Sequence, residues 1–307
     1  MMAAVFDSAF KIVGRCRKKT QTEAGATEQR LYTVISEAIA DAKVDKVLGI
    51  GLGSPGPLDP NTGVIIDTPN LKWKNFPLAA TLQKKFKVPV VVDNDVNVGT
   101  YGEWRFGAIK NCQNVIGFFP GTGIGGGLII NGKLLHGFSG AAGEFGHMTV
   151  QLDGPFCGCG KRGCLEAVAS RIAIAEQVIA LAARGDAPNI LRDCGTDLAK
   201  VRSGALAKAI RAGDTMVEDV VRKAAYYMGV AVANMINAVS PEAVVLGGGW
   251  VEAMPELYLE EGQRAVKYHA MPFLRKGVKI VPAKLGDNAV AMGAAHLIAE
   301  RLAEGLI

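Results

Sequence analysis

Hydrophobic positions along the chain alternate between two periods. Ala3–Asp7 and Lys11–Arg17 read as short strands joined by a turn at Ser8, and Thr27–Ala42 sets Leu31, Ile35, Ala38, Ile39 and Ala42 on one helical face. Lys46–Leu52 is an apolar strand run, and Leu78, Leu82 and Phe86 stripe the next helix. Val88–Asp93, rich in valine, has the character of an interior parallel strand, and a helix from about Asp95 to Phe106 follows. The second half opens with Val115–Phe119, a glycine-rich loop, Gly127–Ile130, an Asn131-Gly132 turn and Leu134–His136. Asn-Gly between apolar runs is a hairpin signal. Helices then dominate to about residue 240, with strands at Ala243–Gly247 and Val278–Pro282 and a terminal helix from Ala289. This alternation predicts an α/β fold.

The halves repeat one unit, with a boundary near Ala108–Asn111. The second half runs strand, glycine loop, strand, tight turn, strand. The first runs strand, turn, strand, without a counterpart to the opening strand and loop.

Composition narrows the function classes. The 307 residues are 49% hydrophobic and 21% charged, with 38 Gly and 13 Pro, which excludes disordered, collagen-like and coiled-coil chains. The net charge of +5 is scattered. Its densest clusters, Arg15, Arg17, Lys18 and Lys19, then Lys84, Lys85 and Lys87, lack interleaved aromatics, so no nucleic-acid partner is expected. The most apolar helical stretch, Ala224–Val239, is broken by Asn234 and Asn237 and falls short of the ~20 residues of a membrane span. The first residues show neither a basic region nor a long apolar one, so a cytoplasmic protein without a secretory signal or membrane partner is expected. Of six cysteines, Cys157, Cys159 and Cys164 cluster, while Cys16, Cys112 and Cys194 stand apart, a usage that fits reduced thiols and a metal site.

Two segments match G-x-G-x-x-G: Gly51-Leu-Gly53-Ser-Pro-Gly56 and Gly121-Thr-Gly123-Ile-Gly-Gly126. A dinucleotide fingerprint requires a helix to begin within the glycines. The first is followed by Pro57-Leu-Asp-Pro60 and the second by a strand, so neither opens one. Gly121-Thr122-Gly123 is instead either a hairpin phosphate loop, with bare N–H groups and the Thr122 hydroxyl as donors, or a packing turn. Gly247-Gly248-Gly249 is either an adenine-contacting loop or a tight turn.

His147, Cys157, Cys159 and Cys164 supply one imidazole and three thiolates within eighteen residues, the donor set of a closed tetrahedral zinc site. Four protein ligands leave no open position, so the zinc is expected to be structural. His136 is the alternative histidine. Asp93-Asn94-Asp95 stands where a strand ends and a helix begins. Asp95 there is either a general base for phosphoryl transfer or the helix N-cap. Glu144 and Glu166 flank the cysteine loop, either as polyol-binding carboxylates held by the metal scaffold or as solvated surface residues.

Taken together these residues resemble the ROK family of sugar kinases and repressors. The resemblance runs through Gly51-Leu-Gly-Ser-Pro-Gly-Pro57, Pro69-Asn-Leu-Lys-Trp73, Asn94-Asp-Val-Asn97, Gly121-Thr-Gly-Ile-Gly-Gly-Gly127, Gly143-Glu-Phe-Gly-His147, Cys157-Gly-Cys-Gly-Lys-Arg-Gly-Cys-Leu-Glu166 and Leu246-Gly-Gly-Gly249. It implies an actin-like, hexokinase-like fold, a duplicated ribonuclease H-like architecture of two lobes with an interlobe cleft. The lobes would be 1–108, joined by the helix over 289–307, and 109–288. It also implies ATP-dependent phosphorylation of a hexose 6-hydroxyl, most often that of glucose, with Mg2+, structural Zn2+ and a homodimer. By motif, Asp95 would be the general base, and Asn70, Asn94, Glu144, His147 and Glu166 would hold the sugar. Gly121, Thr122 and Gly123 would meet the ATP phosphates, Gly247 and Gly248 the adenosine, and His147, Cys157, Cys159 and Cys164 the zinc.

Family members begin with a strand ending in Asp-x-Gly-Gly-Thr, whose backbone cradles phosphate and whose Asp helps hold Mg2+. This sequence starts at Met1-Met2, where that loop should end. Two expectations follow: a trimmed reading of an intact kinase, or a short chain that is a weak or inactive sugar-binding relative. A DNA-binding repressor is not expected, because no N-terminal helix-turn-helix precedes the lobe.

Overall fold

The computed structural model describes residues 1–20, 26–68 and 70–306 of the chain. Its contacts divide it into two units, Met1–Lys110 with Leu134–Ala142 and Asp287–Ile307, and Asn111–Lys133 with Gly143–Gly286. In the first, β1 (Met2–Phe6) pairs antiparallel with β2 (Ile12–Arg17), followed by α1 (Ala26–Ala42). The short β4 (Leu58–Asp59), β5 (Val64–Thr68) and β6 (Trp73–Phe76) form a meander after β3 (Ile50–Ser54). Then come α2 (Leu78–Phe86), β7 (Val90–Asn94) and α3 (Asp95–Arg105). β3 and β7 run parallel with Ile50 opposite Val90 and Ser54 opposite Asn94. The ladder starts at Ile50, later than the Lys46 of the sequence pattern. Pro89 supplies a carbonyl to the Ile50 N–H but has no N–H to carry the ladder further back.

In the second unit β8 (Val115–Pro120), β9 (Ile124–Ile130) and β10 (Lys133–Leu134) form a meander. A helical run follows: α4 (Leu165–Ala169), α5 (Arg171–Arg184), α6 (Pro188–Cys194), α7 (Ser203–Arg211) and α8 (Thr215–Val239). The chain re-enters the sheet with β11 (Ala243–Leu246), passes through α9 (Gly249–Ala253), α10 (Pro255–His269) and α11 (Pro272–Arg275), and closes the sheet with β12 (Lys279–Pro282). It then returns to the first unit as α12 (Ala289–Ala303). No helix among the described residues is long and apolar enough to cross a membrane.

The strand pairs of the first unit follow the plan of the five-stranded sheet in the second. The second has the order β10-β9-β8-β11-β12, with β8 and β11 parallel. The first has β1 with β2, and β3 with β7, and among its described residues no strand in the place of β8. Between β1 and β3 lies a groove of about 920 Å3 lined by Met2, Val5, Ile35, Leu52, Ala294 and Ile298, among others. This is the position at which the internal repeat lacks its opening strand.

Each unit has its own core. Leu31, Ile35, Leu58, Ile65, Leu78, Leu82 and Val92 pack together in the first. In the second, Val115, Ile116, Phe118, Ile129, Val244, Val245, Met228 and Ile236 are buried. Each such side chain contributes roughly 1.5–3 kcal/mol by leaving water.

The glycines of the first G-x-G-x-x-G lie largely inside β3, and their reason is packing. A Cβ on Gly51 would sit 1.9 Å from the Ala294 carbonyl oxygen, and one on Gly53 would sit 2.5 Å from Val290 Cγ1 and 3.1 Å from Asp95 Cα. Bare backbone there lets α12 and the start of α3 lie directly on the strand. The strand expected over Leu134–His136 ends at Leu134 instead, because His136 leaves the ladder for a carboxylate in the first unit.

Candidate functional site

The end of β7 carries Asp93, Asn94 and Asp95. Asn94 is the N-cap of α3, its Oδ1 accepting from the N–H of Val96 at 2.9 Å and of Asn97 at 3.3 Å. The capping role open to Asp95 in the sequence is therefore taken by its neighbour. Asp95 is the first helical residue, its side chain is free of that duty, and it lines the groove of the first unit. Burial pushes its carboxyl above the ordinary carboxylate range, against the lowering effect of the Val96 N–H and its own.

Asp93 is buried beneath them at 3% exposure. Its Oδ1 accepts from the Asn94 N–H at 2.7 Å and from Asn97 Nδ2 at 3.2 Å, and its Oδ2 lies 2.6 Å from His136 Nε2. His136, the alternative metal histidine of the sequence, is thus engaged in the first unit. Sequence reasoning missed this pair. Asn70 is exposed in the turn after β5, and the neighbouring Pro69 of its motif lies outside the described residues.

In the second unit, the ligand atoms of His147, Cys157, Cys159 and Cys164 all lie within 4.8 Å of one another. Cys157 Sγ is 3.6 Å from His147 Nδ1, and Cys159 Sγ is 3.6 Å from Cys164 Sγ. Three thiols and an imidazole at that spacing fit a tetrahedral zinc ion. Glycines at positive φ, Gly160 and Gly163, turn the loop tightly enough to bring them together, and a Cβ on Gly163 would fall 1.7 Å from the Gln151 carbonyl oxygen. Burial pushes the Cys164 thiol up to about 12, so a cation binding there must displace a proton. The other imidazole nitrogen of His147, Nε2, stands 3.9 Å from Glu144 Oε2. Glu144 is exposed, at the head of the single turn Phe145–His147.

Glycines 121–123 make the hairpin between β8 and β9, with the Gly121 N–H donating to the Gly123 carbonyl at 2.7 Å. Gly125, Gly126 and Gly127 belong to β9. A Cβ on Gly126 would lie 2.0 Å from Phe145 Cδ2, so that half of the run serves the Phe118–Phe145 ring contact. Glu166, in the first turn of α4, turns to the loop: its Oε2 accepts from the Ile124 N–H at 3.0 Å. Arg171, missed in the sequence, donates its own N–H to the Gly121 carbonyl at 2.9 Å and a guanidinium N–H to Thr122 Oγ1 at 3.4 Å. Gly247 and Gly248 fit their positions through close packing. A Cβ would meet Phe119 Cε1 at 2.4 Å at the first and the Pro120 carbonyl oxygen at 2.5 Å at the second, where φ is +84°.

The structure thus groups the candidate residues into three constellations: Asp93, Asn94, Asp95 and His136; the Cys/His cluster with Glu144; and Glu166 with the glycine hairpin and Arg171. Comparison with known proteins gives these a context. A glucokinase of Halalkalibacterium halodurans is 38% identical over 259 residues, covering 83% of this chain and 77% of that protein. A xylose repressor of Bacillus spizizenii is 34% identical over 254 residues, which span 83% of this chain and 62% of the repressor. The crystal structure of a ROK family glucokinase from Streptomyces griseus in complex with glucose and AMPPNP superposes with a TM-score of 0.83 at 31% identity, covering 96% of this chain and 94% of that one. The fold is accordingly that of the actin-like sugar kinases. With the ROK family pattern matching residues 1–301, the chain belongs to the ROK family.

Proposed function

We propose that this protein is an ATP-dependent hexose kinase that phosphorylates the 6-hydroxyl of its sugar, glucose being the preferred substrate. The observation that carries the reading is Asp95: a half-buried carboxyl, partly withdrawn from water at the end of a parallel strand and relieved of helix capping by Asn94. Burial raises the proton affinity of the group, which suits a base that must accept a hydroxyl proton in the transition state. As the sugar oxygen bonds to the γ-phosphorus, its proton passes to Asp95 and ADP leaves with the bridging electrons.

On this reading Asn70, Asn94, Glu144, His147 and Glu166 hold sugar hydroxyls. Backbone N–H groups of Thr122 and Gly123 and the Thr122 hydroxyl donate to the phosphates beside Gly121, and the backbone of Gly247 and Gly248 meets the adenosine. Mg2+ accompanies the nucleotide. His147, Cys157, Cys159 and Cys164 hold a zinc ion whose contribution is structural, fixing the segments that carry Glu144 and Glu166. The division into lobes at 1–108 with 289–307, and 109–288, and a cytoplasmic homodimer, belong to the same reading. Asp95→Ala tests it: glucose should still raise the melting temperature while turnover disappears, and retained turnover would remove Asp95 from the role.

A second reading, a sugar-binding protein without turnover, is favoured by the xylose repressor, which is 34% identical to this chain. It predicts that glucose or xylose raises the melting temperature while no ATP is consumed.

A further inference from the structure

Glu166 stands in the sugar-binding set by motif, and one oxygen of its carboxylate serves the glycine hairpin as well. Oε2 accepts the Ile124 N–H at 3.0 Å, and a Cβ at position 123 would sit 2.3 Å from that oxygen, so glycine there is what admits the carboxylate. The hairpin is gripped on its other side by Arg171, whose N–H reaches the Gly121 carbonyl. Both grips come from one short stretch of chain. Its first anchored residue is Cys164, which N-caps α4, forms an antiparallel bridge with Thr149 and contributes a sulfur to the metal cluster. The Leu165 N–H fixes the same point by donating to the Met148 carbonyl at 2.8 Å, next to His147.

We infer that Glu166 is a positioning residue for the glycine hairpin, holding Gly121–Gly123 in the shape that presents the Thr122 and Gly123 N–H groups to the nucleotide phosphates and tying that shape to the metal-ligand segment. This rests on the reading of the hairpin as the phosphate site. A free hairpin of Gly-Thr-Gly samples many backbone states, and fixing it before the ligand arrives removes that entropy cost from binding. A carboxylate accepting one N–H is suited to the task because charge-assisted hydrogen bonds are the stronger kind.

The test uses the full chain with Glu166→Ala and Glu166→Gln. Two readouts are taken without sugar: amide hydrogen exchange over Gly121–Gly125, and the dissociation constant for AMPPNP. Glucose affinity is measured separately. Loss of the carboxylate in Glu166→Ala should speed exchange at Ile124 and weaken AMPPNP about tenfold, the equivalent of ~1.4 kcal/mol and within the range of one charge-assisted hydrogen bond. Glu166→Gln keeps an acceptor oxygen and should recover most of both. Unchanged exchange and AMPPNP affinity in Glu166→Ala, with only glucose binding weakened, would overturn the inference. If the parent protein binds no AMPPNP, the kinase reading fails, and exchange at Ile124 still decides whether Glu166 holds the hairpin.

Discussion

Removing either side of the Asp93–His136 contact should cost stability in amounts the structure sets. Asp93 is buried and serves three donors: His136 Nε2, the Asn94 N–H and Asn97 Nδ2. At about 1 kcal/mol for each of the latter two and about 2 kcal/mol for the contact with His136, Asp93→Ala should destabilise the protein by about 4 kcal/mol. His136→Ala leaves Asp93 two of its donors and should cost about 2 kcal/mol. Because the shared contact is lost once, the double variant should cost less than the two singles together, with a coupling of about 2 kcal/mol in a double-mutant cycle. Urea denaturation of the four proteins measures this directly. A functional consequence accompanies it. Asp93 holds the Asn94 N–H, Asn94 caps α3, and the first residue of that helix is Asp95, so Asp93→Ala should lower turnover as well as stability, and more than His136→Ala does. A coupling energy below about 0.5 kcal/mol would refute the argument, since it would mean that a 2.6 Å contact to a buried carboxylate contributes no more than a solvated pair.

Three further outcomes follow from the geometry. Asp95→Asn should reduce turnover about 10²–10⁴-fold, the span of a lost general base. Because burial raises the folded-state pKa of Asp95 above its unfolded value, its contribution to stability is complete below the unfolded pKa and lost as pH rises through the folded one. The asparagine variant should therefore be the more stable protein near neutral pH in thermal melts, with the difference closing in acid, and parental turnover should rise with pH along a limb above the ordinary carboxylate range. Stripping metal with a strong chelator should lower the melting temperature, zinc should restore it, and metal analysis should give one zinc per chain, lost in Cys164→Ser. Gly51→Ala should destabilise by about 3 kcal/mol or more because its Cβ meets the Ala294 backbone, whereas Gly204→Ala, which meets nothing, should be neutral or stabilising by up to about 1 kcal/mol in the same urea assay.

How far the sequence carries depends on the distance over which a feature is built. The Cys/His cluster is local, eighteen residues of chain with glycines at the bends, so residue type and spacing were enough to predict the convergence of His147, Cys157, Cys159 and Cys164. The alternation of apolar runs likewise placed most strands within a few residues, and the unequal halves predicted that the first would have no counterpart to β8 among its described strands. Contacts across long separations left no such trace. His136 and Asp93 are 43 residues apart, and nothing in either neighbourhood marks a partner, so His136 was legible only as a residue of metal-binding type. Glu166 and the Ile124 N–H are separated by 42, and a backbone donor has no sequence signature at all. Glycine was ambiguous for a different reason. Gly51 and Gly126 are required by the neighbouring Ala294 and Phe145, which are known only once the chain has folded. The role of Asp95 was undecided between general base and N-cap because a carboxylate at the start of a helix suits both, and the structure gives the cap to Asn94.

The central claim is phosphoryl transfer to a sugar, and one measurement addresses it most directly: incubation of the full chain with glucose and Mg-ATP, followed by phosphorus NMR of the products. The parent protein should yield equal amounts of ADP and glucose 6-phosphate, and Asp95→Asn neither above background. Stable ATP in the presence of parent protein, under conditions where glucose raises its melting temperature, would contradict the kinase reading and leave a sugar-binding protein in its place.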